Sequence, residues 1–99
     1  MQDTTGTPDT ALEAELTVIN RLGLHARAAA KVVSVACRHD VNIVLACNGR
    51  EVEARNMMGV LTLAAAKGTS VTVRVTGAQA PEAMNELKTL FENRFDEEA

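Results

Sequence analysis

The chain contains no tryptophan, no tyrosine and only two phenylalanines among its 99 residues. Its core must therefore be aliphatic, and it lacks aromatic platforms on which bases or sugars could stack. Cysteine is scarce too: Cys37 and Cys47 are too few for a disulfide framework, and in a cytoplasmic chain both are free thiols. Ten Lys and Arg against thirteen Asp and Glu leave a net charge of -3. The basic excess that drives nucleic-acid binding by counterion release is missing, so no nucleic-acid partner is expected. No apolar run approaches the ~20 residues needed to span a bilayer, and Met1 to Leu12 has neither a basic start nor a hydrophobic stretch. The expectation is a cytoplasmic protein without membrane insertion.

What is present, 46% hydrophobic and 23% charged side chains, describes one small domain that buries roughly two-thirds of its surface. Residues 1–13 are polar and broken by Gly6 and Pro8, which predicts a flexible leader ahead of a single domain over 14–99. From Ala14 the chain alternates, Leu16 and Val18 on one face and Glu15 and Thr17 on the other, as a half-buried strand does. ARAAAKVVSVACR then places Arg27, Lys31, Ser34 and Arg38 along one polar helical stripe. VNIVLAC and REVEA flank Asn48-Gly49, the pair best suited to a two-residue type I′ turn. Pairing Cys47 with Arg50 sets Leu45 opposite Val52 and Ile43 opposite Ala54. NMMGVLTLAAAKG reads as a helix capped by Asn56, with Lys67 in its last turn and Gly68 beyond it. SVTVRVTG alternates, with Val71, Val73 and Val75 inward. The last helix starts near Pro81 and carries Ala83, Met84, Leu87, Leu90, Phe91 and Phe95 as its apolar stripe. The order βαββαβα, each strand with one wet face, predicts an α+β fold. It is an open-faced two-layer β-sandwich whose four-stranded antiparallel sheet is covered on one face by three helices.

Chemistry concentrates at the start of the first helix. His25 follows the first strand and Gly23, where backbone N–H groups have no intrahelical acceptor and attract anions. Ser, Thr, Asp or Asn would cap this helix better, so histidine there is locally suboptimal. Arg27 falls in the first turn, where the helix dipole disfavours a cation unless an anion is bound. A neutral imidazole is a competent nucleophile near pH 7, and a phosphoryl group on it would meet amides and a guanidinium together, with no metal needed. Spacing alone also allows His25 to be a surface loop residue and Arg27 a solvated charge.

INRLGLHARAAA, placed between a strand and a helix, resembles the active-site segment of the histidine-containing phosphocarrier family HPr. RNMMGVLTLAAAKGT is similar to that family's second-helix segment, and the resemblance extends over roughly Glu15 to Asp96. It implies that His25 is the phosphorylated histidine and Arg27 the phosphate-binding arginine, with the backbone of Ala26, Arg27 and Ala28 around the phosphate. It further implies an enzyme I type donor drawing on phosphoenolpyruvate, an enzyme IIA type acceptor, and a stoichiometric carrier in place of a turnover enzyme. No cofactor and no metal are expected. Ala28 departs from the family's usual proline and restores one N–H donor at some loss of rigidity. Asn56 stands where Gram-positive sugar carriers have a regulatory serine, so a serine kinase has no hydroxyl to modify there. LFENRFDEE and HARAAAK are more similar to the nitrogen-related branch, NPr, than to a dedicated sugar carrier.

Met57, Met58, Val60 and Leu61 make the second helix apolar on more than one side, and core packing cannot absorb all of them. Lys31, Met57, Met58 and Leu61 are accordingly the expected partner surface: Met57 and Leu61 against donor and acceptor, Arg27 and Lys31 against their acidic rims. The chain is expected to be a monomer. Three alternatives stay open: a sugar-uptake carrier, a regulatory interaction domain that is never phosphorylated, and a metal module built on Cys37, His39 and Cys47. Against the last, zinc wants four ligands, and a buried Cys37 beside a solvent-facing His39 is the plainer expectation. Asp96 to Glu98 reads as a solvated acidic tail with no catalytic role.

Overall fold

The computed structural model describes residues 10–99, which form β1 (Thr10–Thr17), α1 (Ala26–Arg38), β2 (Asn42–Cys47), β3 (Arg50–Glu53), α2 (Met57–Thr62), β4 (Ser70–Gly77) and α3 (Ala80–Glu92). The strands lie in the order β1-β4-β2-β3, and every neighbouring pair is antiparallel. Alternation explains which face is covered. Val71, Val73 and Val75 of the central strand β4 are fully buried, as is Leu45 of β2, while Glu13, Glu15, Arg74, Glu51 and Glu53 are exposed on the open side. α1 turns Ala28, Ala29, Val32, Val35 and Ala36 into the core and leaves Arg27, Ser34 and Arg38 outside. α3 contributes Ala80, Ala83, Met84, Leu87 and Phe91 to the same layer. The expected α+β open-faced sandwich is what forms.

The hairpin adopts the expected register, with Cys47 opposite Arg50 and Leu45 opposite Val52. Positive φ at Asn48 (52°) and Gly49 (76°) is what a type I′ turn demands. Three boundaries differ from expectation. β1 begins at Thr10, so residues 10–13 of the expected leader belong to the sheet; residues 1–9 lie outside the described residues. Thr10 to Glu13 pair with Gly77 to Arg74, and Leu12 packs against the core in step with Ala14 and Leu16, so the alternation reaches back beyond the expected boundary. α2 stops at Thr62, so Lys67 is not in its last turn. Asn48 Nδ2 donates to Leu63 O at 2.9 Å, and at Ala64 the chain turns left-handed with φ 53°. The buried Ala65 then lies beside Leu24, whose N–H its carbonyl accepts at 2.9 Å.

Phe95 is not on α3 either. The helix ends at Glu92, and Arg94, Phe95 and Asp96 form a left-handed turn with φ of 55°, 54° and 65°. This reversal lays Phe95, fully buried, against Phe91 with ring centroids 4.8 Å apart. The helical stripe and the reversed turn bury the same side chain, which is why periodicity alone does not separate them.

Candidate functional site

His25 is the N-cap of α1. Its backbone is extended, its side chain makes no capping hydrogen bond, and its carbonyl accepts from Ala29 N–H at 2.8 Å. The N–H groups of Ala26, Arg27 and Ala28 precede that first intrahelical bond and have no acceptor within the helix. Two neighbours fix the chain that leads into this mouth. Leu24 N–H donates to Ala65 O, and Asn20, fully buried, donates through Nδ2 to Gly23 O at 2.8 Å. Gly23 has φ +70°, and a Cβ there would stand 2.5 Å from Ala65 O, so only glycine lets the two strands of loop approach this closely.

Glu97 of the acidic tail is drawn in over the same place, against the expectation of a solvated tail, while Asp96 and Glu98 are exposed as expected. Burial of Phe95 draws its neighbours back across α1. Lys31 Nζ donates to Phe95 O at 3.1 Å and to Asp96 Oδ2 at 2.8 Å, while Arg21 N–H donates to Ala99 O at 2.9 Å. Glu97 Oε1 accepts from Asn20 Nδ2 at 3.0 Å, and Glu97 Oε2 lies directly against His25 Nε2. The Asn20 donor first, then the His25 contact and the charges of His25 and Arg27, hold the Glu97 carboxyl below the usual carboxylate range against the opposing effect of desolvation. Asn20 and Glu97 escape sequence reasoning. The one available signal is an apolar Phe95 inside an acidic run, since burying it must bring Glu97, two residues on, back to the fold.

The structure places the sequence-predicted residues unevenly. Arg27 is exposed on the rim of a cleft with Arg21, Leu22, Asp96 and Glu97, and among the described residues no carboxylate is ion-paired with it. Ala26 is exposed, and the Ala28 methyl is buried while its amide remains in the first turn. Lys31 is engaged by Asp96 and Phe95, so it is tied to this chain's own tail. Met57 and Leu61 are half-buried against the core, whereas Met58 is 69% exposed and Leu22 57% exposed; with Ile19 these are the exposed large hydrophobics among the described residues. Asn56 caps α2, its side chain accepting from Gly59 N–H at 3.0 Å.

Cys37 and His39 are arranged the opposite way to expectation. Cys37 is exposed, and His39 is packed inward with Nε2 against Glu86 Oε1. Helix periodicity turns Ala36, not Cys37, into the core, and Glu86 of α3 draws the imidazole in. Among the described residues no group of three or more His, Cys, Asp and Glu is disposed to hold a metal ion, and no helix is long and apolar enough to cross a membrane.

Residues 12–93 match the family model described as the PTS HPr component phosphorylation site. A phosphocarrier protein HPr of Xylella fastidiosa is 52% identical over 87 residues, covering 88% of this chain and 98% of the relative. One from Pseudomonas aeruginosa is 48% identical over 84 residues, covering 84% and 93%. Among solved structures, HPr of Thermoanaerobacter tengcongensis superposes with a TM-score of 0.84 at 32% identity, covering 89% of this chain and 99% of that one. A phosphocarrier protein HPr of Bacillus anthracis gives 0.77 at 31% identity, covering 82% and 96%.

Proposed function

Since the chain belongs to the HPr family of phosphotransferase-system phosphocarriers, we propose that His25 is the residue that carries the phosphoryl group. It takes the group from an enzyme I type donor and passes it to a histidine of an enzyme IIA type acceptor. The observation that carries this reading is the helix mouth itself: an N-cap imidazole that caps nothing, beside three amides without helical acceptors and an arginine that forms no ion pair among the described residues. A phosphoryl group on His25 would meet those amides and the positive end of the helix dipole, and the guanidinium could swing onto its oxygens. Transfer in both directions needs a shallow well. Amide dipoles and one mobile guanidinium hold phosphate firmly enough to stabilise the adduct and loosely enough to release it.

Partners dock on the surface beside this mouth: Leu22 lines a shallow groove with His25, the exposed Met58 adds adaptable apolar contact from α2, the helix that the family resemblance sets beside the active histidine, and Arg27 meets an acidic rim. Met57 and Leu61 support that surface from within. The nitrogen-related regulatory branch is favoured by the likeness of LFENRFDEE and HARAAAK to its members. To test both levels, the phosphorylated chain is mixed with enzyme IIA type acceptors of the nitrogen and sugar branches and loss of its phosphate is timed. Faster discharge to the nitrogen-branch acceptor is expected. Faster discharge to the sugar-branch acceptor would reassign the branch, and discharge to neither would remove the carrier role.

A further inference from the structure

We propose that Glu97 is a positioning residue for the transfer: anchored by Asn20, its carboxylate holds the Nε2–H of His25 and so fixes the tautomer and ring plane in which Nδ1, the attacking nitrogen that the resemblance to the family implies, carries the lone pair. This rests on the carrier reading above and adds a residue to it. An ionised carboxylate only accepts hydrogen bonds, so the nitrogen facing Glu97 Oε2 must be the one that bears hydrogen. In the neutral imidazole the lone pair is then on Nδ1. A second partner on the far nitrogen also fixes the plane of the ring, as carboxylates do for histidines that ligate metals.

The contact is built, not incidental. Asn20 is fully buried and divides its Nδ2 between Gly23 O, at the entry to the helix mouth, and Glu97 Oε1. Lys31 grips Asp96 and the Phe95 carbonyl, and the Arg21 amide grips Ala99, so the segment carrying Glu97 is held on both sides of it. In the forward step the Nδ1 lone pair forms the N–P bond as the donor's bond to phosphorus breaks, and the donor's leaving atom keeps that bond's electron pair. The His25 ring then bears phosphorus on Nδ1 and hydrogen on Nε2 and is cationic. Glu97 faces that charge. In the onward step the Nδ1–P electron pair returns to a ring that still holds its Nε2 proton, which makes it a good leaving group.

Glu97→Gln separates the roles, because Asn20 Nδ2 and His25 Nε2 meet different oxygens of the carboxylate and an amide puts a donating NH2 in the place of one of them. The full-length chain is labelled with ¹⁵N and its histidine ring signals recorded. Phosphate uptake from phosphoenolpyruvate and an enzyme I type donor is timed for both proteins. The unaltered chain is expected to show a His25 Nε2-bound proton in slow exchange with water, lost in Glu97→Gln, together with uptake slower by about tenfold or more at an unchanged fold by circular dichroism. Wild-type uptake in Glu97→Gln would overturn the proposal, as would slower uptake with unchanged His25 ring signals. If the unaltered chain itself takes no phosphate, the carrier reading fails instead.

Discussion

At the scale of single residues the account turns on two side chains that are poor choices for a helix start. A histidine that caps nothing and an arginine at the positive end of the dipole are both mildly unfavourable locally, and the proposed phosphoryl dianion between them would remove both objections. The planar fork of Arg27 matters as much as its charge. Arg27→Lys is expected to fold normally and to take up phosphate about tenfold more slowly or worse, since a point charge cannot span two phosphoryl oxygens. Unchanged uptake in a stopped-flow or quench assay would show that the guanidinium is not on the phosphate. The placement of His25 and Arg27 at a helix start is legible in the sequence because both sit in one short segment. The pairing of Asn20 with Glu97 is not: 77 residues separate them, and nothing local to either foretells the hydrogen bond.

Among the elements, strands declared themselves more completely than helix ends. β4 is read directly from its valine alternation, and the β2–β3 register follows from Asn48-Gly49, because a two-residue turn leaves one pairing. The end of α2 depends on a tertiary contact, Asn48 on Leu63 O, that no periodicity encodes, and the reversal after α3 keeps Phe95 against Phe91, so the apolar stripe does not reveal it. The loop that presents His25 has its own weak point. Gly23→Ala places a methyl 2.5 Å from a backbone oxygen at φ +70°, so it should cost about 2 kcal/mol or more in urea unfolding. It should also disturb the helix mouth and slow uptake. A neutral effect on stability would mean that the 65–66 loop can retreat from Gly23.

Across the whole molecule, two carboxylates tie distant parts of the chain to α1. Glu97 binds the mouth, and Glu86 of α3 binds the other end, where Arg38 first and His39 second hold its carboxyl below the usual range. A group whose value is depressed by folding stabilises the fold above its unfolded value and ceases to do so as pH falls through the folded one. Stability should therefore be level near neutrality and decline below about pH 4, with the decline shallower in Glu86→Gln and Glu97→Gln. An identical acid profile in all three proteins, followed by thermal unfolding, would show that neither contact matters to the fold.

The central claim is that the imidazole at residue 25 accepts and surrenders a phosphoryl group. Intact mass after incubation with phosphoenolpyruvate and an enzyme I type donor should rise by one phosphate and return to its starting value in mild acid, as a phosphoramidate does, and His25→Ala should show no rise. An acid-stable adduct, or phosphate still gained by His25→Ala, would contradict it.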